Sequence, residues 1–363
     1  MKRIFFTITN DITYDQRMHR ICTSLAENGY DVTLIGYKRK NSVPLKKEKY
    51  RQKRFHLLFR KGGLFYAEYN IRIFLYLLFK KADAICAIDI DTILPCLHIS
   101  KWKKIPRIYD AHELFTEQKE IIRRPAIKRK WVRIEKHTVP KFRYGYTVCE
   151  SISDFLKEKY AVSYEVIRNV TFLQKDQDLN TPRSFIFYQG AVNEARGFEF
   201  LIPAMKWINS KLVVCGDGNF MTEVKQLIKE NNVEDKVELK GMVSPTELWN
   251  ISLKAKVGIT IIENNGWNQY FSLPNKFFDY LHAGIPQIAM NYPEYARINE
   301  QFEVAVLLDD IDPKKIADAI NNLLVNDVLY NRLRNNCLVA RQELNWQNEE
   351  KKLLKFYQSI FDQ

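Results

Sequence analysis

The chain repeats one pattern almost from end to end: a short apolar run, a glycine or polar turn, then an amphipathic segment. This alternation specifies β-α units around parallel sheets, because each strand is buried on both faces and each connection must cross back over the sheet. Strands are expected at 4–9, 32–36, 84–88, 107–109, 146–149 and 165–167. Helices are expected at 15–27, stopped by Asn28-Gly29, at 64–79, over a long basic region 117–138, and at 151–160. The pattern lapses over 171–183 (TFLQKDQDLNTPR), which is polar, holds Pro182 and has no apolar period. It then restarts, with strands at 184–188, 211–215, 237–240, 257–262, 287–290 and 305–308. The helices of this half fall at 197–208, 220–231, after Ser244-Pro245, after Pro274, at 312–326 and in one long run 328–361. A length of 363 residues suits two such domains. The expected fold is therefore α/β, with two Rossmann-like domains. They are an N-terminal domain at 1–170, a linker at 171–183 and a C-terminal domain at 184–363.

Charge narrows the partners. The formal net charge of +13 predicts an anionic one: nucleic acid, phospholipid or a phosphorylated substrate. No nucleic-acid recognition motif is present. Two basic stretches stand out, 38–61 and 123–136, the second with Trp131 among its cations. They suit an anionic membrane surface or a lipid-diphosphate acceptor. The apolar run 64–79 is interrupted by Glu68 and Arg72 and falls short of the roughly 20 residues a spanning helix needs. The six cysteines show no C-x-x-C and several lie in apolar runs, as thiols of a reducing compartment do. The expected location is cytoplasmic, peripheral on the inner face of the cell membrane.

In open parallel sheets, ligands bind beyond the carboxyl ends of the strands. In the second half those ends carry Gly190, Gly216-Asp217-Gly218 and Gly241, where a ligand can approach the backbone closely. Arg196 and Lys276 supply cations for a diphosphate. The segment SLPNKFFDYLHAGIP (272–286) places Lys276 in the first turn of a helix, with Phe277, Tyr280 and Leu281 on its buried face and Gly284 at its end. A cation there opposes the helix dipole, which makes sense if an anion sits beside it; the bland alternative is a solvent-exposed lysine. Asp89-Ile90-Asp91 has the letters of a metal motif, but reads as loop solvation and capping of a helix near Thr92. Asp15 and Arg17 read as capping residues as readily as substrate contacts. No G-x-G-x-x-G follows the first strand, which argues against a dinucleotide oxidoreductase.

The stretches DQRMHRICTSLAENGYDVTLIGY (15–37), YDAHELFTE (109–117), YQGAVNEARGFEFLIPAM (188–205), VVCGDG (213–218), LKGMVSPTELW (239–249) and SLPNKFFDYLHAGIP together resemble glycosyltransferases of the two-Rossmann-domain (GT-B) type, similar to glycosyltransferase family 4. The resemblance implies two domains facing across a cleft, with the last helix returning to the N-terminal domain, and a sugar moved from a nucleotide-sugar donor to a lipid-linked saccharide acceptor, in cell-surface polysaccharide synthesis with retention of configuration and no cofactor or metal. It implies a donor site of Gly190, Arg196, Gly216, Gly218, Gly241, Met242, Val243, Ser272, Leu273, Pro274, Asn275, Lys276 and Asp279. Of these, Arg196 and Ser272 to Lys276 would hold the diphosphate, Asp279 the ribose, and Met242-Val243 the base. His112 and Glu113 would act catalytically, positioning the acceptor or the reacting sugar. Three positions depart from the family pattern. Phe271 stands at the first acid of its E-x7-E, Ala191 replaces an arginine, and Thr9 to Thr13 replace a glycine-rich loop. A nucleotide-sugar epimerase of the same fold and a non-catalytic, degenerate transferase stay open beside the transferase.

Overall fold

A computed structural model describes residues 1–173 and 181–362. The chain divides into two compact units, one of Met1–Asn169 with Asn348–Gln363 and one of Val170–Gln347. Part of the 171–183 segment, residues 174–180, lies outside the described residues. Its first residues belong to the second unit, where Thr171 O accepts from Trp346 N at 2.9 Å.

The first unit holds strands β1 (Arg3–Thr7), β2 (Asp31–Tyr37), β3 (Arg51–Phe55), β4 (Ala84–Ile88), β5 (Arg107–Ala111), β6 (Tyr144–Thr147) and β7 (Glu165–Val166). All are parallel, in the order β3-β2-β1-β4-β5-β6-β7. The central strand β4, AICAI, is wholly buried, as a continuous apolar run covered by helices on both faces should be. Chain direction across the sheet reverses between β1 and β4, so the loops after these strands diverge and open a crevice at their carboxyl ends. Sequence reasoning missed β3. Its RQKRF alternates nothing apolar, because an edge strand bonded only to β2 can be charged on both faces. The basic region at 117–138 is not one helix: a turn at Lys119–Ile122 ends before a helix at Pro125–Thr138. Pro125 lacks an N–H and biases Arg124 away from helical ψ, so the helix can only restart there.

The second unit holds β8 (Phe185–Gln189), β9 (Leu212–Cys215), β10 (Val237–Gly241), β11 (Ala255–Thr260), β12 (Gln287–Met290) and β13 (Ala305–Leu308). They form a parallel sheet in the order β10-β9-β8-β11-β12-β13, with the reversal between β8 and β11. The expected long final helix is two helices, Asp327–Glu343 and Trp346–Phe361. The break is built by side chains: His282 Nε2 bonds Leu344 O at 2.7 Å, and Asn345 Nδ2 donates to Arg341 O and Gln342 O. Beyond Gln347 the last helix belongs to the first unit, where Tyr357 is fully buried with its hydroxyl 3.3 Å from that of Tyr146.

Candidate functional site

In the second unit the ends of β8, β9 and β10 are stitched side by side. Gly190 N donates to Cys215 O at 2.9 Å and Gly216 N to Gly241 O at 2.8 Å. Gly216 has φ +147°, and a Cβ there would lie 1.8 Å from Gly190 O. A Cβ on Gly218 would lie 2.2 Å from Val192 O. Only glycine permits backbones this close, so the rim of the sheet is a ledge of peptide groups bare of side chains. Met242, just past β10, is 78% exposed, while Val243 packs on the core around Phe187, Val213 and Tyr280.

The helix Asn275–His282 meets this ledge at the point of reversal. Pro274 precedes it with no side-chain acceptor for the first-turn N–H groups, and Phe277, Tyr280 and Leu281 are fully buried as expected. Leu273 is buried, and Ser272 Oγ donates to Gln269 O at 2.8 Å. The Tyr280 hydroxyl accepts from Gln189 N at 3.0 Å and donates to Phe187 O at 3.1 Å, bolting the helix to the end of β8. That register sets Lys276 and Asp279 one turn apart. Asp279 accepts from Gln189 Nε2 at 2.6 Å. Lys276 Nζ sits 3.5 Å from the centre of the buried Tyr188 ring.

The solvent-exposed alternative for Lys276 is therefore overturned. The residue is only 8% exposed, and its amine has no hydrogen-bond partner among the described residues. Burial, together with the nearby Arg196 guanidinium, pushes its pKa well below that of an ordinary lysine. The tyrosine face offsets part of the desolvation, but an ammonium wants acceptors that no described residue provides. Arg196 stands in a tight turn, Ala195 at φ +67° and Gly197 at φ +75°, pinned where Ala195 O accepts from Glu263 N at 3.2 Å. The left-handed alanine costs on the order of 1–3 kcal/mol, strain that typically gathers at ligand sites. Phe271 stacks on Trp267 at 5.3 Å between centroids, so an aromatic shelf occupies the position of the first family acid. Sequence reasoning passed over Tyr188 and Gln189. The signal was there in Gln189, a polar residue at the end of the apolar strand FIFYQ.

In the first unit His112 follows β5. Asp110, fully buried within that strand, takes Arg17 Nη2 at 2.9 Å and faces His112 Nε2 at 3.0 Å. Asp89 Oδ1 accepts from His112 N at 2.9 Å, and its other oxygen lies 3.9 Å from His112 Nδ1. Asp89 thus caps nothing; it clamps His112. Arg17 is a buried ion-pair residue, whereas Asp15 does cap its helix, accepting from Met18 N at 3.0 Å. Burial disfavours a charged imidazole, but the carboxylates of Asp110 and then Asp89 override it and raise the His112 pKa to about 9. At neutral pH His112 is an imidazolium, able to donate a proton or hydrogen bond and unable to act as a base. Glu113 accepts from the Gln118 side chain. Trp131, read above as a membrane-facing ring, packs between Tyr66 and Phe115, with centroids at 5.0 and 4.9 Å.

The raised pKa makes a pH prediction with a definite sign. A histidine held near 9 in the folded chain, against 6.5 unfolded, gives its full stabilisation below pH 6.5 and loses it as pH rises through 9. The stabilisation amounts to about 3 kcal/mol. Urea unfolding should show stability falling over that window, a slope that His112→Gln flattens. A ring titration by NMR that gave a midpoint at or below 6.5 would sink the assignment.

Residues 169–338 match the family model described as glycosyl transferases group 1. None of the curated proteins compared by sequence matches the chain. Among solved structures, sucrose-phosphate synthase from Thermosynechococcus elongatus is similar with a TM-score of 0.84 at 17% identity, covering 100% of both chains. A glycosyltransferase from Rickettsia africae is similar at 0.75 and 13% identity, over 99% of this chain and 98% of that one. The HepE protein of Anabaena, in complex with UDP-glucose, is similar at 0.76 and 11% identity, over 99% and 100%. The chain has two parallel-sheet α/β domains in the GT-B glycosyltransferase fold. The group 1 domain on this fold supports a glycosyltransferase.

Proposed function

We propose that the protein moves a sugar from a nucleotide-sugar donor to a saccharide acceptor, with retention of configuration, in the synthesis of a cell-surface polysaccharide. The observation that carries the donor assignment is the buried Lys276 amine, which has no acceptor among the described residues, at the start of a helix and beside Arg196. A diphosphate supplies the missing acceptors and negative charge, and the first-turn N–H groups add donors for it. Glycosyl transfer builds negative charge on the departing nucleoside diphosphate as the sugar carbon turns cationic. Arg196, Lys276 and the helix N-terminus lie ready to stabilise that charge without reorganising, and without a metal ion.

The remaining roles follow from position. Gly190, Gly216 and Gly218 let phosphate and sugar approach the peptide ledge. Asp279, oriented by Gln189, takes the ribose hydroxyls, and the backbone of Met242 and Val243 takes the base. His112, charged by Asp110, donates to the reacting sugar or acceptor, with Glu113 beside it. UDP is the first nucleotide to try, since the HepE protein is recorded with UDP-glucose. The acceptor is lipid-linked and the protein peripheral on an anionic membrane surface, a reading supported by the basic run 38–61. No helix among the described residues is long and apolar enough to cross a membrane.

The test is nucleotide release from a panel of nucleotide sugars, with and without saccharide acceptors. Release that depends on acceptor, and a glycosylated product, are expected with one donor. Sugar interconversion without acceptor would instead identify an epimerase, and no nucleotide binding at all would leave only a degenerate transferase.

A further inference from the structure

Helix Gly62–Leu78 of the first unit has two apolar faces, and the protein covers one of them. Phe65, Tyr69, Ile73 and Leu77 are buried. At about 100° per residue, Leu64, Ile71, Leu75 and Phe79 fall together on the opposite side. They are 61%, 58%, 49% and 81% exposed. The two charges that interrupt the apolar run cancel: Glu68 and Arg72 pair at 2.8 Å. Glu68 also accepts from Leu58 N and Phe59 N, at 2.9 Å each, which brings a second pair of exposed apolar residues up against the helix.

The surroundings of this stripe are basic. Residues 38–61 contain eleven Lys and Arg and a single acid, Glu48, and Lys80 and Lys81 follow the helix. Lys38, Arg39, Lys40, Arg60 and Phe59 line an open cavity of about 480 Å³ beyond the ends of β2 and β3. Apolar residues in a stripe, flanked by cations and nearly free of acids, complement an interface of hydrocarbon under a layer of phosphate. A second copy of the same face would bring like charges together.

We propose that this helix lies flat in the headgroup region of an anionic bilayer, with Leu64, Ile71, Leu75 and Phe79 toward the acyl chains. Lys38, Arg39, Lys40 and Arg60, which line the cavity, then engage lipid phosphates, and the cavity seats one headgroup. The proposal deepens the membrane attachment proposed above and rests on that reading. It replaces the second basic stretch, whose Trp131 is packed inward, with this face as the point of contact.

Co-sedimentation with sucrose-loaded vesicles tests it, using equimolar phosphatidylglycerol and phosphatidylcholine against phosphatidylcholine alone at physiological ionic strength. Wild type should pellet with the anionic vesicles and stay in solution with the neutral ones. Ile71→Ser/Leu75→Ser should bind about tenfold more weakly or worse, and Lys38→Ser/Lys40→Ser should lose affinity and salt dependence together. All the substituted side chains lie outside the core, and stabilisation by UDP, measured on the same samples, reports separately on folding and on the donor site. Failure of the vesicle arm with an intact UDP response overturns the membrane face alone; loss of both points to misfolding, and fresh single substitutions at Ile71 or Leu75 then decide. Equal binding by wild type and Ile71→Ser/Leu75→Ser, no binding by wild type, or a dimer in sedimentation velocity that the double variant abolishes would each overturn the proposal.

Discussion

Lys276→Met should bind a nucleoside diphosphate roughly tenfold to a hundredfold more weakly than wild type, while its ligand-free form unfolds no more easily. The first half follows from losing a charge-assisted hydrogen bond, worth about 1.5–3 kcal/mol. The second follows from where the ammonium sits. It is buried over the Tyr188 ring with no acceptor among the described residues, so methionine removes an unsatisfied polar group and keeps much of the volume. In wild type, ligand at 100 times its dissociation constant should add about 2.7 kcal/mol of stability, and the variant should show little of that gain at the same concentration. The depressed pKa of Lys276 adds a proton signature. A bound diphosphate favours the charged ammonium, so the pKa rises on binding. Affinity is then greatest below the depressed pKa of the free protein and weakens as pH climbs past it. Calorimetry in buffers of different ionisation enthalpy should show proton uptake between the two pKa values, absent in Lys276→Met. Equal affinity in variant and wild type would remove Lys276 from the donor site.

Gly216→Ala should destabilise the second unit by about 3–5 kcal/mol and abolish the nucleotide response with it. The new Cβ would meet Gly190 O at 1.8 Å, with φ already at +147°. Its obstacle is backbone, held by the Gly190 to Cys215 and Gly216 to Gly241 hydrogen bonds, and cannot rotate away as a side chain would. Gly63→Ala is the matched control, because a Cβ there meets nothing within 4 Å and helix propensity favours alanine. Urea unfolding of the two variants separates the cases. A Gly216→Ala protein within 1 kcal/mol of wild type would show that the ledge can yield.

The particular elements show which inferences a one-dimensional pattern supports. β4 falls where its apolar run predicted it, at 84–88, because a doubly covered parallel strand is apolar throughout, and β12 and β13 fall at the predicted 287–290 and 305–308. β3 does not advertise itself, because its one hydrogen-bonded neighbour and solvent exposure let it be RQKRF. The final helical region reads as continuous, yet breaks where His282 and Asn345 take the carbonyls that a continuous helix would have used.

The sequence by itself determined the two parallel sheets, the glycines at their carboxyl rims and the helix that begins at Asn275, because periodicity, turn chemistry and glycine placement are local properties of the chain. Tertiary structure decided what those residues are worth. Lys276 became a buried, unsatisfied amine with a lowered pKa only when Tyr280 bolted its helix to β8 and laid it over Tyr188. The pKa of His112 rose only when Asp89, from a separate stretch of the chain, joined Asp110 around the ring, against the opposing pull of burial and of Arg17. The outward stripe of helix Gly62–Leu78 became a surface only because its other face was taken by the core. Charge state and exposure depend on burial and on partners distant in sequence, and those exist only once the chain has folded.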